Sequence, residues 1–217
     1  MIVGVVLAAG LGSRFGGDKL LHGIPIQQGT AKQGTANQVA QFSSKSTIAM
    51  GLQSAFNLAP YVDEVVCVVR PEDKILAELF KQHGFKVCVS ENYQAGLSAS
   101  LMAGVQASLG ANMWWIALGD MPFIKAASYQ MIQKQVALQI RQPEHSQKII
   151  RPYTLLESAH KYGHPVIFPK RLKKQLLSLS GDEGAREILK KERHEVLQVL
   201  VDDGGIHLDI DEKSDLL

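Results

Sequence analysis

The stretch IVGVVLAAGLGSRFGGDK, residues 2–19, decides the fold. It opens with Ile2 to Leu7, a continuous apolar and mostly β-branched run of the kind that forms a parallel strand buried on both faces. Similar runs occur later in the chain at Glu64 to Val69, Lys86 to Val89 and Trp114 to Leu118. Helical patterns separate them at about Thr47 to Leu58, Glu72 to His83 and Ala99 to Leu109. Strands alternating with helices predict a three-layer α/β/α sandwich with a mostly parallel, Rossmann-like sheet.

The second half of the sequence is less regular. It predicts helices at Ala126 to Arg141, Leu172 to Leu179 and Ala185 to Lys191, and short strands at Ile149 to Tyr153, Pro165 to Phe168 and Glu195 to Val201. A chain of 217 residues suits one domain, so we expect a single domain over residues 1–217.

One polar segment, QQGTAKQGTANQVAQFSSK at Gln27 to Lys45, cannot supply a core. It predicts a mobile surface insertion at about 27–45, or alternatively a lid over a bound ligand.

The composition excludes several classes of protein. Hydrophobic residues at 46% and charged residues at 20% are typical of a folded globular chain rather than a disordered one. A net charge of +2 argues against a protein that coats nucleic acid or an acidic membrane, so we expect neither as a partner. A basic cluster formed by Lys170, Arg171, Lys173 and Lys174 predicts a solvated helix face, or alternatively a phosphate or partner patch.

The cysteines and the N-terminus indicate the compartment. Cys67 and Cys88 lie in apolar runs without the spacing of a disulfide framework or a metal knuckle, which predicts reduced core residues. Met1 is followed at once by an apolar run that is too short to span a membrane and that lacks a basic flank. We therefore expect a cytoplasmic protein.

The loop after the first strand has the residues of a phosphate site. Its small residues, at positions 8, 9, 10 and 12, let backbone N–H groups approach a ligand at the carboxyl end of a strand. Arg14 and Lys19 add a forked and a compact cation, which suit a triphosphate. Leu20 excludes a P-loop, and Phe15 occupies the third glycine position of a dinucleotide fingerprint. A tight strand-to-loop turn without a ligand is the alternative.

An acidic residue follows another buried strand. The strand WWIAL runs into Gly119-Asp120-Met121-Pro122, which predicts that Asp120 lies in the same carboxyl-end crevice as the loop. Magnesium bound with a nucleotide takes one or two carboxylates plus phosphate oxygens and water, so Asp120 is the first candidate ligand. A turn or helix cap before Ile124 is the alternative.

LAAGxGxRFGxxK resembles the signature of the nucleotidyltransferases that act on the molybdenum cofactor, within the larger group of sugar-nucleotide-type pyrophosphorylases. The resemblance implies a nucleotide-diphospho-sugar transferase type of fold. It also implies that Arg14 and Lys19 contact the phosphates and, with Asp120, are catalytic. The residues implied in nucleotide binding through the loop are Leu7, Ala8, Ala9, Gly10 and Gly12.

Two further segments match the same family. Asp120 matches its LxDxP motif, and DIDEKSDL at 209–216 resembles a C-terminal DIDTPEDL segment that supplies a second metal contact. The resemblance therefore implies Asp120 and Asp211 as the metal ligands, with Asp209 behind them. An exposed acidic tail is the alternative for Asp211.

A segment reading N-x-x-x-G-x-x-x-S-L lines the nucleoside pocket of similar proteins, which implies binding roles for Gly96 and Ser100. A helix N-cap at Ser98 or Ser100 is the alternative. GHPVIF at 163–168 and GDEGAR at 181–186 resemble motifs of the molybdopterin cytidylyltransferases. This half would then face the pterin substrate, with His164 or Arg186 near its phosphate.

The resemblance implies a Mg²⁺-dependent transfer of CMP from CTP to the phosphate of molybdopterin, with release of pyrophosphate. The expectation of CTP rather than GTP rests on Ala9 and Phe15, because similar guanylyltransferases have LAGG in place of LAAG and a Met in place of Phe15. The implied further partner is a molybdenum hydroxylase or its maturation chaperone. The alternatives are a GTP-using guanylyltransferase and a nucleotide-binding maturation subunit without turnover.

Overall fold

The computed structural model describes residues 1–10, 12, 14–26, 47–156 and 159–216. The insertion expected at about 27–45 lies outside the described residues, as do Leu11 and Ser13 of the loop. A single domain with this insertion stays a prediction.

Ten strands and six α-helices are present in the described part of the chain. The strands are β1 Ile2–Leu7, β2 Gly23–Pro25, β3 Thr47–Ala49, β4 Glu64–Val69, β5 Lys86–Val89, β6 Met113–Leu118, β7 Ile149–Leu156, β8 Ala159–Tyr162, β9 Val166–Pro169 and β10 Val196–Leu200. The helices are α1 Met50–Leu58, α2 Lys74–Gln82, α3 Leu97–Gln106, α4 Ala126–Ile140, α5 Lys173–Leu176 and α6 Arg186–Lys191.

The main sheet has the strand order β10-β7-β9-β6-β1-β4-β5, and β8 pairs with β7. The pairs β1–β4, β1–β6, β4–β5 and β7–β10 are parallel, whereas β9 runs antiparallel to both β6 and β7. The apolar runs found in the sequence thus form the centre of a mostly parallel sheet, as predicted.

Helices cover both faces of this sheet because successive strand residues point to opposite sides. Trp115 packs on one face with residues of α1, α2 and α4, and Trp114 packs on the other with residues of α3, α5 and α6. Both indoles are fully buried. The predicted three-layer α/β/α sandwich is confirmed.

Several boundaries differ from the sequence prediction. The helix expected from Thr47 begins at Met50, because Thr47–Ala49 forms a strand that pairs antiparallel with Gly23–Pro25. The helix expected at Leu172 to Leu179 spans only Lys173–Leu176 and follows a 3₁₀ turn at Lys170–Leu172. The strand Ala159–Tyr162 was not predicted, since its alternating polar sequence is exposed along β7.

The prediction of a fully buried strand at Lys86–Val89 was wrong. This strand is the edge of the sheet, and none of its four residues is fully buried. Cys88 is consequently half-buried, whereas Cys67 on the neighbouring strand is fully buried; both thiols are free. Burial raises the pKa of both thiols.

Two residues of the basic cluster form ion pairs with glutamates. Lys170 pairs with Glu144 at 3.6 Å, and Arg171 pairs with Glu192 at 2.9 Å. None of the four basic residues, all of which the structure describes, lines the cavities described below. Across the described helices, none has the length and apolar character needed to cross a bilayer.

The centre of the sheet determines where the loop and Asp120 meet. Leu7, the last residue of β1, pairs with Leu118, the last residue of β6. Gly119 N donates to Leu7 O at 2.9 Å just beyond the sheet. The two segments therefore leave the sheet side by side at its carboxyl edge, where α/β sheets bind ligands.

Candidate functional site

Lys19 lies between two carboxylates from distant parts of the chain. Its Nζ donates to Asp120 Oδ2 at 2.8 Å and to Asp211 Oδ1 at 3.0 Å. Arg14 Nη1 donates to the other oxygen of Asp211, at 3.1 Å. The structure thus brings together the two cations of the loop and both predicted metal ligands.

These charges depend on one another. Burial alone would lower the pKa of Lys19, but the hydrogen bonds and charges of Asp120 and Asp211 outweigh burial and raise the pKa. Burial raises the pKa of Asp120, while the Lys19 ammonium acts in the opposite direction. Lys19 is therefore charged, and the Asp120 carboxylate relies on it for compensation. The second oxygen of Asp120, Oδ1, is buried and has no hydrogen-bond partner among the described residues.

The backbone around Asp120 is held by helix α1. Ser54 Oγ donates to Gly119 O at 2.8 Å, and Asn57 Nδ2 donates to Pro122 O at 2.7 Å. Both side chains are buried. The sequence prediction missed them, although two polar residues one turn apart on the buried face of a helix are a signal of such a role.

The segment that carries Asp211 is folded against the loop. Ile210 is fully buried, and its N–H donates to Asp120 O at 3.0 Å. The N–H groups of Asp211 and Glu212 donate to Asp215 Oδ2 at 2.8 and 2.7 Å. These contacts fix the carboxylate of Asp211 beside Lys19, so the alternative of a free acidic tail does not describe it.

A cavity of about 690 Å³, here called the first cavity, opens between the loop and helix α3. The predicted residues that line it are Leu7, Ala9, Gly10, Gly12, Arg14, Lys19, Gly96, Ser100, Asp120 and Asp211. Ala8 does not line it, because its side chain is buried in the core and its N–H donates to Val68 O. Lining residues that the sequence prediction missed include Tyr93, Gln94 and Asp182.

The GDEGAR turn borders the first cavity through the start of helix α3. Asp182 Oδ1 accepts a hydrogen bond from Leu97 N at 3.1 Å, and Ser98 Oγ donates to Ser180 O at 3.0 Å. Gly96 has φ +100°, and a Cβ there would lie 2.7 Å from Asp182 Cα. The alternative of a serine N-cap is wrong, because the helix begins at Leu97 and the serines lie inside its first turns.

A second cavity of about 310 Å³ adjoins the first, and Leu7, Leu97 and Leu118 line both. Its charged or titratable lining residues are Arg151, Lys161, Tyr162, His164, Glu183, Arg186, His207 and Asp209. The structure thus places His164 and Arg186 together, away from the loop. Sequence reasoning missed Arg151, which belongs to no motif.

His164 is neutral in this setting. Its Nδ1 lies 3.4 Å from Ile116 O, which assigns the proton to Nδ1 and leaves Nε2 as an acceptor. Burial lowers the pKa of His164 to about 4. The ring can accept a hydrogen bond from a ligand at neutral pH, but it does not add positive charge to the cavity.

The described residues contain no group of three or more His, Cys, Asp or Glu side chains that could hold a metal ion by themselves. Asp120 and Asp211 provide two carboxylates at the first cavity, fewer than a protein-only metal site requires.

A comparison with protein families identifies the chain. The model of the MobA-like NTP transferase domain matches residues 4–196. The chain belongs to this family. It is a nucleotidyltransferase, and the matched residues include the loop and most of the lining of the two cavities. The lining residues Ile206, His207, Asp209 and Asp211 follow the matched range. None of the curated protein sequences compared with the chain matches it.

Solved structures share the MobA-like fold. Rv0371c from Mycobacterium tuberculosis H37Rv is 24% identical with a TM-score of 0.70, covering 99% of this chain and 95% of that protein. A manganese complex of the same protein has a TM-score of 0.66 at 22% identity, with the same coverage.

Two further structures extend the likeness. Mth528, a nucleotidyl transferase from Methanothermobacter, is 18% identical with a TM-score of 0.67, covering 99% of this chain and 94% of that one. The 4-diphosphocytidyl-2C-methyl-D-erythritol synthase from Anaerococcus prevotii DSM 20548 is 13% identical with a TM-score of 0.66, at the same coverage. At these identities the likeness shows the fold, which confirms the nucleotide-diphospho-sugar transferase type.

Proposed function

We propose that the chain is a molybdenum cofactor cytidylyltransferase, which transfers CMP from CTP to the terminal phosphate of molybdopterin. The observation that carries the proposal is the pair of adjoining cavities, which share Leu7, Leu97 and Leu118 beside the cluster of Lys19, Asp120 and Asp211. A two-substrate transfer needs two binding spaces that meet where the bond is made.

The first cavity suits the nucleoside triphosphate. Backbone groups at Gly10 and Gly12 border it, and Arg14 and Lys19 provide two positive charges beside them. In our proposal these groups hold the triphosphate, and the nucleoside extends toward Gly96 and Ser100.

The residues present fit a magnesium ion that arrives with the nucleotide. Asp120 and Asp211 would hold the ion, and the buried, unpartnered Oδ1 of Asp120 is an oxygen available for it. When bound, Mg²⁺ supplies neutralisation of the charge on the phosphates. Lys19 holds the other oxygen of Asp120, Oδ2, and Oδ1 of Asp211, so its ammonium would lie beside the ion and the phosphates.

The proposed reaction is an in-line displacement. An oxygen of the acceptor phosphate forms a bond to the α-phosphorus of CTP, the bond from that phosphorus to the bridging oxygen of the β-phosphate breaks, and pyrophosphate leaves with the electron pair. The protein's task is positioning and charge stabilisation, which fall to Arg14, Lys19 and Asp120. The acceptor occupies the second cavity, between His164 and Arg186.

The preference for CTP rests on the residue types of the loop. Ala9 lines the first cavity and is also a buried member of the core, so its backbone borders the space proposed for the nucleotide. Phe15 is buried and packs edge-on against His22 with ring centroids 5.2 Å apart, so it acts through the shape of the loop.

Pyrophosphate release with each of the four nucleoside triphosphates and purified molybdopterin tests the proposal. We expect release with CTP in the presence of magnesium and no release without the acceptor. A preference for GTP would identify a guanylyltransferase instead. Tight binding of CTP without pyrophosphate release would identify a maturation subunit of a molybdenum hydroxylase.

A further inference from the structure

Arg151 on β7 forms no ion pair with any of the residues that the structure describes. It lines the second cavity, and its guanidinium carbon lies 4.6 Å from the centre of the Tyr162 ring. Its Nε is buried and has no hydrogen-bond partner among the described residues. The half-buried Arg171 also has a buried nitrogen without a partner among the described residues, Nη2, but it pairs with Glu192 and donates to Gln147 O.

This arrangement is unfavourable without a ligand. A partly buried charge loses hydration, and stacking on an aromatic ring offsets only part of the cost. Burial lowers the pKa of Arg151, as does the charge of Arg186, while Tyr162 acts in the opposite direction. An arginine nonetheless keeps its charge at neutral pH, so the Arg151 guanidinium can still bind an anion, although Glu183 and Asp209 also line the second cavity.

The position of Arg151 separates it from the site of transfer. Ile150 pairs with Ile167 of β9, which in turn pairs with Trp115 of β6. Strand β9 thus lies between β7, which carries Arg151, and β6, which leads to Asp120. Arg151 lines the second cavity but not the first, so an anion that it binds lies in the second cavity.

We propose that Arg151 binds an anionic group of the acceptor in the second cavity. The inference rests on the proposed function, in which the second cavity holds the acceptor. It describes the acceptor class as a molecule that carries an oxyanion, such as a phosphate group, into the second cavity. The planar guanidinium, ordered against Tyr162, suits such an oxyanion.

Kinetics of pyrophosphate release with saturating CTP and magnesium and varied molybdopterin test this assignment. Arg151→Gln should raise KM for molybdopterin roughly ten- to hundredfold, because a charge-assisted contact is lost. The kcat and the KM for CTP should stay unchanged, and Arg151→Lys should recover part of the affinity. A fall in kcat with unchanged KM for molybdopterin would mean that Arg151 does not contribute to acceptor binding, which overturns the inference.

A matched control separates this effect from a general loss of charge. Arg193→Gln removes an exposed arginine that donates to His194 and lines neither cavity, so its kinetics should equal those of the unaltered protein. Equal acceptor KM values for Arg151→Gln and Arg193→Gln would show that Arg151 is merely structural.

An acceptor-independent measurement keeps the inference apart from the proposed function. If the unaltered protein releases no pyrophosphate with molybdopterin, the proposed function fails, and inorganic phosphate then serves as the probe. With CTP and magnesium present, phosphate should raise the thermal midpoint of the unaltered protein and of Arg193→Gln, but not of Arg151→Gln, relative to chloride at equal ionic strength. An equal rise in all three, or no rise in any, overturns the inference.

Discussion

The two adjoining cavities satisfy their charges in opposite ways. In the first cavity, Lys19 is paired with Asp120 and Asp211 at 2.8 and 3.0 Å. In the second, Arg151 has no acidic partner among the described residues, and His164 is neutral. A ligand of the first cavity must therefore exchange existing ion pairs, whereas a ligand of the second supplies a missing one.

This difference indicates a division of roles. Paired charges of opposite sign can reorganise around a metal and a polyphosphate, so the first cavity suits a step in which charge develops. Unpaired cations recognise a fixed anion, so the second cavity suits selection of the acceptor. Four predictions test the comparison, in order of falling effect.

The largest effect is expected from the paired charges. Asp120→Asn keeps the shape of the side chain but removes its charge, and turnover should fall by about 100- to 1000-fold. Lys19→Ala should cause a loss of the same order. Initial rates of pyrophosphate release measure the effect, and circular dichroism checks the fold.

Asp63→Asn is the control for Asp120→Asn. Asp63 accepts a hydrogen bond from Ile2 N at 2.7 Å, at the opposite end of β1 from the loop. Its substitution should leave turnover unchanged. Near-normal rates for both Asp120→Asn and Lys19→Ala would remove the proposed roles of the charge cluster.

The junction between the cavities gives the next effect. Gly96→Ala combines a positive φ with a Cβ placed 2.7 Å from Asp182 Cα, so it should displace the GDEGAR turn. We expect KM for CTP to rise roughly tenfold, since displaced contacts weaken positioning. Denaturant titration should also show lower stability, by about 2 kcal/mol or more.

Gly84→Ala is the control that has the backbone strain of Gly96→Ala without its steric crowding. Gly84 has φ +80°, but a Cβ there meets no atom within 4 Å, and it lines neither cavity. It should lose about 1–2 kcal/mol of stability from backbone strain alone, with kinetics unchanged. If both variants bind CTP equally well, the close approach of the turn does not shape the first cavity.

The neutral histidine of the second cavity predicts a pH effect on stability. Its pKa is lowered to about 4 in the folded protein, so the unfolded chain binds more protons between that value and the ordinary 6.5. The contribution of His164 to the free energy of unfolding is therefore complete above pH 6.5 and is lost as the pH falls toward 4. The loss should reach roughly 2–3 kcal/mol near pH 4.5.

Denaturant titrations at pH 7 and pH 4.5 measure this contribution. His164→Gln should reduce the difference in stability between the two pH values by that amount. His145→Gln, at an exposed turn, should leave the difference unchanged. An unaltered pH difference in His164→Gln would show that the ring is not held neutral.

The smallest effect concerns the support of Asp120. Ser54→Ala removes the hydrogen bond to Gly119 O, which should lower kcat several-fold and stability by about 1 kcal/mol. Ser108→Ala removes comparable buried hydrogen bonds, to Gly104 O and from Trp114, far from either cavity. The two variants should lose similar stability, but only Ser54→Ala should lose activity. Equal kcat values would make Ser54 a packing residue alone.

Local patterns were enough to predict the centre of the molecule. The buried run before Leu7 and the run before Asp120 each indicate a strand from neighbouring residues alone, and topology then aligns their ends. The same reasoning missed Ser54 and Arg151, because their importance depends on contacts with residues far away in the sequence. The edge position of Cys88 was missed for a similar reason, because the sequence of a single strand does not determine its place in the sheet.

The family resemblance in the second half of the sequence indicated where certain residues lie, but not their chemical roles. It drew attention to His164 and Arg186, which line one cavity. It did not indicate that Asp182 also contacts Leu97 at the border of the first cavity, a contact between residues 85 positions apart. The neutral state of the His164 imidazole and the unpartnered Nε of Arg151 both depend on burial, which the sequence alone does not show.

The contact between Lys19 and Asp211 joins residues 192 positions apart. During synthesis on a ribosome, the glycine-rich loop emerges early, while its carboxylate partner follows only after nearly the whole sheet has been translated. A nascent chain can therefore build much of its core before the charge cluster closes. Any activity that depends on the pairing of Lys19 with Asp211 should consequently appear only after Asp211 has been translated.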